Sequence, residues 1–117
     1  MAGLKMMKAL DVEAKEVEMD GVEGISIRWL ISKADGAPNF AMRLFEVAPG
    51  GHSPLHRHDW EHEVYIVDGR GEIEYEGERK PFEKGWFINV PPGHEHQFIN
   101  TGEEAMRFLC LVPNDSY

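Results

Sequence analysis

The sequence predicts an all-β domain of the sandwich or barrel type, and three observations carry that prediction. Short runs rich in β-branched and aromatic residues recur at close spacing, glycine and proline punctuate them, and helical periodicity is hard to find. With 117 residues the chain makes one domain, able to bury roughly two-thirds of its unfolded surface but too short for two independent cores.

Taken in order, the elements are as follows. Residues 1–23 read as an extended, acidic N-terminal arm, because the apolar positions of DVEAKEVEM (Val12, Ala14, Val17 and Met19) make no helical stripe. Residues 24–117 form the barrel domain. GISIRWLIS (24–32) reads as a strand, KADGAPN as a turn, and FAMRLFEV (40–47) as a strand ended by Ala48-Pro49-Gly50-Gly51. EVYIV (63–67) is β-branched and aromatic. Asp68-Gly69-Arg70-Gly71 reads as a tight hairpin turn into EIEYE (72–76), whose alternation predicts a half-exposed strand. WFINV (86–90), HQFIN (96–100) and AMRFLCLV (105–112) follow, separated by Pro91-Pro92-Gly93 and Asn100-Thr101-Gly102. Val64 and Ile66 face opposite to Tyr65 and Val67, and Phe108 and Cys110 opposite to Leu109 and Leu111, so two strands are apolar on both faces. Such strands need a second covering layer, and a homodimer supplies it.

Composition removes several classes of function. A net charge of -9 with no basic patch repels phosphate backbones and anionic headgroups, which excludes nucleic acid and membranes as partners. No apolar run approaches the roughly 20 residues of a membrane span, and the N-terminus lacks the apolar core and cleavage site of a secretory signal. We therefore expect a cytoplasmic protein. The single cysteine, Cys110, forms no internal disulfide and no CxxC zinc knuckle, so a metal must be held by histidine or carboxylate.

The stretch HRHDWEHEVYIVDG (56–69) concentrates imidazole and carboxylate just ahead of an apolar strand. In a strand, residues i and i+2 share a face, so His56 and His58 can converge on one ion, and His62 keeps that parity. Glu61 and Glu63 have the opposite parity. Isolated histidines are usually surface or satisfied core residues, and His52 is read that way. Three imidazoles on one face gain little from packing and repel when protonated, which favours a metal. A fourth ligand must come from a neighbouring strand. His94 lies in the Pro-Pro-Gly turn, whereas His96 opens the strand HQFIN, so His96 is preferred.

The spacing is that of two motifs. Gly50, five residues, His56-x-His58, three residues, His62, six residues and Gly69 make the first; Gly85, five residues, Pro91-x-Gly93, two residues, His96, three residues and Asn100 make the second. Together they resemble the paired motifs of the cupin superfamily, with His62 where the commoner pattern has glutamate. APNFAMRLFEVAPGG, WEHEVYIVDG and RFLCLVP make the chain similar to small single-domain, four-histidine cupins, including manganese-containing ones, over roughly 24–113. The resemblance implies a double-stranded β-helix, a jelly-roll barrel with the metal near its mouth, and a dimer. It puts Mn²⁺ first, with Fe²⁺, Ni²⁺, Cu²⁺ and Zn²⁺ as alternatives.

Four neutral imidazoles would leave a divalent ion its full charge, and an octahedral ion would keep two adjacent positions for water, dioxygen or a bidentate substrate. Pocket walls follow from parity: Phe98 on the His96 face, Phe108 and Cys110 on the last long strand, with core packing as the alternative for both phenylalanines. Trp60 is placed at the mouth or in a dimer seam. Arg43 faces an anionic substrate or forms a surface ion pair. Cys110 reads chiefly as a small buried hydrophobe, and Glu95 is the nearest general base. The expected function is that of a metal-dependent, dioxygenase-like oxidoreductase acting on a small organic substrate. A non-enzymatic binder of metal and small ligand, or a sugar or keto-acid isomerase, is the alternative.

Overall fold

We describe residues 3–117 of a computed structural model. Its strands are β1 (Lys15–Glu16), β2 (Glu23–Ile31), β3 (Phe40–His52), β4 (His62–Asp68), β5 (Arg70–Tyr75), β6 (Glu78–Glu83), β7 (Phe87–Val90), β8 (His96–Ile99) and β9 (Met106–Pro113). Only short 3₁₀ turns accompany them among the described residues. All pairings are antiparallel, and the sheet runs β6-β5-β8-β3-β9-β4-β7, with β2 attached to β3 and β1 to β2.

This is the all-β, jelly-roll arrangement that the sequence predicts. β3 is its hub, pairing with β9 from Phe40↔Pro113 to Val47↔Met106, with β2 along its other side, and with β8 where His52 meets Ile99. Sequence reading ends this strand at residues 48–51, but it runs on to His52. Gly50 supplies the turn of backbone with φ +79, and Gly51 passes so close to the Glu23 carbonyl that an added Cβ would lie 2.6 Å from its oxygen.

The inward face holds Ile25, Ala41, Val47, Val64, Ile66, Phe82, Val90, Phe98, Met106, Phe108, Cys110 and Val112, all buried. In β9 the alternation is regular, with Met106, Phe108, Cys110 and Val112 inward. Burying each large side chain of this set contributes about 1.5–3 kcal/mol. Among the described residues one side-chain amide is buried, and it is fully engaged. Asn100 Nδ2 donates to the Val47 and Glu104 carbonyls, and its Oδ1 accepts from Gly102 N–H, so the turn after β8 is tied to β3.

Two readings of the sequence need correction. Asp68–Gly71 turns the chain but closes no hairpin: β4 pairs with β7 and β9, whereas β5 crosses to pair with β6 and β8. The actual hairpin joins β5 to β6 through Glu76 (φ 48) and Gly77 (φ 84), the two left-handed residues that match strand twist. β6, ERKPFE, escapes the sequence reading because only Phe82 of its six residues is buried.

The double-sided strands keep apolar side chains on their outer face. Tyr65 is 49% exposed and Phe87 on neighbouring β7 is 80% exposed, while Leu109 and Leu111 are half-buried. No helix of the described residues is long and apolar enough to cross a membrane.

Candidate metal centre

Four imidazoles meet inside the barrel. One ring nitrogen from each of His56, His58, His62 and His96 lies within 4.8 Å of the others. The route by which they meet differs from a continuous strand. His56 sits in an isolated bridge, His58 in a loop with a bend at Asp59–Trp60, and only His62 opens a strand. A bend between His58 and His62 thus replaces simple alternation.

The backbone holds this loop in three places. His56 and His96 exchange both N–H···O bonds, at 3.1 and 2.9 Å, which fixes two imidazoles on adjacent segments. Gly93 N–H donates to the His58 carbonyl at 2.7 Å, so the Pro-Pro-Gly turn clamps the loop. Ser53 N–H donates to the Phe98 carbonyl, and Phe98 N–H returns to Ser53 Oγ at 2.8 Å.

Ring nitrogens are oriented by what their far sides touch. His58 Nδ1 lies 2.9 Å from the Trp60 carbonyl, and His96 Nδ1 lies 2.9 Å from the His94 carbonyl. A carbonyl only accepts, so both Nδ1 atoms carry hydrogen and both Nε2 atoms present lone pairs. His62 Nδ1 lies 3.1 Å from Cys110 Sγ, which leaves its Nε2 turned to His58 Nε2 at 2.8 Å. His96 Nε2 is buried and has no hydrogen-bond partner. A buried lone pair left alone is costly, and a cation among the Nε2 atoms satisfies it.

The imidazoles are held neutral, the form that ligates metal. Burial, followed by the nearby His96 and His58 rings, pushes His56 down to about 4. Burial and then His58, Arg43, His96 and His56 push His62 down to about 2. His58 and His96 are also lowered, chiefly by burial. The donor set, the unsatisfied nitrogen and the carbonyl-oriented rings fit a metal ion.

A cavity of about 210 Å³ opens from the cluster, lined by His56, His62 and His96 and by a largely apolar wall. Phe98 and Phe108 both line it, stacked at 5.1 Å, and Phe45 continues the stack at 5.2 Å from Phe108. Arg43 and Cys110 line it as well, facing each other across β3 and β9. The ion pair weighed for Arg43 is absent: among the described residues no carboxylate lies within 4.0 Å of it. Its Nη2 donates to Cys110 Sγ at 3.1 Å. Cys110 is 2% exposed, and burial pushes its thiol up despite Arg43, so it packs as a neutral group while also supporting His62. Sequence reading did not give Cys110 that supporting role, since 48 residues separate the two partners.

Trp60 does not line the cavity. It stacks on the His58 ring at 4.2 Å and 7°. Glu95 is not in the wall either; its backbone pairs with Glu76, and no carboxylate lines the cavity. His52 bonds to Ser53 and Gln97, and His94 to Tyr75, both outside the cluster. Val17, Met19 and Val22, from the segment read as an arm, close one side of the cavity. A larger cleft of about 430 Å³ lies beside Gly69, Arg70, Lys84 and Glu104; it carries mixed charge and no histidine.

Residues 43–112 match the Cupin domain family, and the chain belongs to it. The chain is 31% identical over 105 residues to the polyketide synthase CurC of Streptomyces cyaneus, covering 88% of this chain and 68% of that one. It is 39% identical over 71 residues to the 1-methylthio-D-xylulose 5-phosphate methylsulfurylase of Rhodospirillum rubrum, covering 61% of this chain but only 46% of the relative. Among solved structures, the polyketide cyclase RemF from Streptomyces resistomycificus superposes with a TM-score of 0.90 at 34% identity, over 95% of this chain and 80% of that one.

Proposed function

We propose that this protein is a metal-dependent cupin enzyme that binds a small organic carbonyl or hydroxy-carbonyl substrate beside a cation held by His56, His58, His62 and His96. The observation that carries the reading is the convergence of four neutral imidazoles, one with a buried and unpartnered Nε2, at the end of an apolar cavity. A divalent ion there would supply Lewis acidity toward a substrate oxygen. Imidazole donors suit Fe²⁺, Ni²⁺, Cu²⁺ and Zn²⁺, and the family resemblance adds Mn²⁺.

The chain's own residues do the rest. Phe45, Phe98 and Phe108 exclude water and hold an apolar body, and 210 Å³ falls below the roughly 300–1,000 Å³ of pockets that engulf drug-sized ligands. The substrate is therefore small, or only its reacting end enters. Ser53 Oγ, already accepting Phe98 N–H, keeps its hydroxyl hydrogen to orient a substrate oxygen at the wall. With no carboxylate in the cavity, a proton leaving the substrate exits toward the mouth.

Two relatives that match most of this chain are named a polyketide synthase and a polyketide cyclase, and ring closure of that kind depends on polarised carbonyls; this favours carbonyl chemistry without net oxidation. Oxygen-consuming cleavage by a dioxygenase is the second reading. An all-imidazole donor set supports it, because it favours the lower oxidation state of a redox metal. The same proposal includes a homodimer, supported by the exposed Tyr65, Val67 and Phe87 on one outer face.

Elemental analysis of protein purified without added metal tests the centre. We expect stoichiometric transition metal in the parent chain and its loss in His62→Ala; full retention in that variant removes His62 from the ligand set. Oxygen uptake with a panel of β-dicarbonyl and dihydroxy-aromatic compounds then separates the two chemistries, since cyclisation consumes none.

A further inference from the structure

Arg43 stands in the middle of the inner surface with nothing to balance its charge. On β3 it is flanked in register by Trp29 of β2 and Cys110 of β9, and its guanidinium lies 5.5 Å from the Trp29 ring and 4.9 Å from the Phe45 ring. Its Nε is buried without a hydrogen-bond partner, and only Nη2 has one, the weakly accepting Cys110 sulfur. The guanidinium is permanently charged, and aromatic faces offset only part of the cost of drawing it out of water.

Nothing near it supplies a negative charge. No carboxylate lines the cavity or lies within ion-pair range of Arg43 among the described residues. A divalent ion would add more positive charge. The chain as a whole carries -9, so this is a local cationic spot inside an acidic molecule.

We infer that Arg43 is the specificity-determining residue of the cavity and that the ligand is a monoanion, a carboxylate or enolate, whose apolar body packs on Phe45, Phe98 and Phe108. Its guanidinium makes a single bond, to Cys110, and a planar fork of this kind suits an anionic group placed against its terminal nitrogens. An apolar wall and one guanidinium suit a single charge, whereas an inorganic polyanion would lose its hydration with nothing to gain from the aromatic stack. The inference deepens the proposed function but does not need the metal, because the unbalanced charge belongs to Arg43 itself.

Isothermal titration of the whole chain, as purified and after chelator treatment, uses benzoate, benzamide and inorganic phosphate as probes. We expect benzoate to bind both forms, with benzamide and phosphate weaker by about tenfold or more. Arg43→Gln should weaken benzoate by a similar factor while its metal content, read by elemental analysis, stays that of the parent. Unchanged benzoate affinity in Arg43→Gln, or no benzoate binding to either form, overturns the assignment. Should Arg43→Gln fail to fold, Arg43→Lys decides: weaker benzoate binding supports the role of the planar fork, and equal affinity overturns it. Benzoate binding through Arg43 in a protein that takes up no metal would sink the metal reading and leave this one standing.

Discussion

His94 and His96 stand two residues apart, yet the fold gives them opposite environments. His96 is 1% exposed, bridged by backbone to His56, and its Nε2 meets three other imidazoles. His94 is exposed, stacks on Tyr75 and lies 3.8 Å from a Glu76 oxygen. The difference comes from the neighbours that each backbone position delivers. Strand β8 turns His96 toward the barrel axis, while the preceding Pro-Pro-Gly turn leaves His94 on the rim and uses its carbonyl to orient the His96 ring. What sets His96 apart is that its Nδ1 is held by a carbonyl while its Nε2 is buried and left without a partner.

Substitutions that cross this divide should show the largest effects first. His96→Ala is expected to abolish stoichiometric metal binding, measured by elemental analysis; a variant that retains the ion would equate His96 with His94. Cys110→Val removes the group that pins His62 Nδ1 and should weaken metal affinity about 10–100-fold in competition with a chromophoric chelator, with Cys110→Ser closer to the parent.

Acid provides an intermediate test. The four clustered imidazoles have lowered pKa values in the folded chain, so below about 6.5 the unfolded state binds protons that the folded state refuses. The stability they confer is complete above that value and is lost as pH falls toward 4 and below. Urea unfolding of the metal-free protein at pH 7, 5.5 and 4 should show a falling midpoint, and a flat profile would mean that the cluster is not closed to protons. The smallest effect is expected for His94→Gln, with metal content unchanged and stability altered by less than about 1 kcal/mol.

Much of this arrangement is legible in the chain, for identifiable reasons. Runs such as EVYIV and AMRFLCLV carry their strand character in β-branched and aromatic side chains that also form the core, so local propensity and burial agree. The clustered histidines are conspicuous because four imidazoles have no packing advantage in one place. Pairing was harder to read. Asp68-Gly69-Arg70-Gly71 specifies a reversal but not the strand that the next segment will join, and the crossing to β8 is decided by barrel closure. β6 hides because an edge strand carrying Arg79, Lys80 and Pro81 looks like a loop. Cys110 and Arg43 could be placed near a pocket, but their contact with each other depends on the β3–β9 register and that of Cys110 with His62 on the pairing of β4 with β9. Val17, Met19 and Val22 show no pattern of their own, since what they cover is a cavity built by other strands.

The reciprocal bridge between His56 and His96 has a temporal consequence. During synthesis the segment bearing His56, His58 and His62 leaves the ribosome well before His96, so a nascent chain holding only those three lacks the fourth imidazole and the bridge that fixes His56. An ion that needs all four imidazoles could be enclosed only once β8 docks. A chelator supplied during translation should therefore spare folding while leaving the barrel empty.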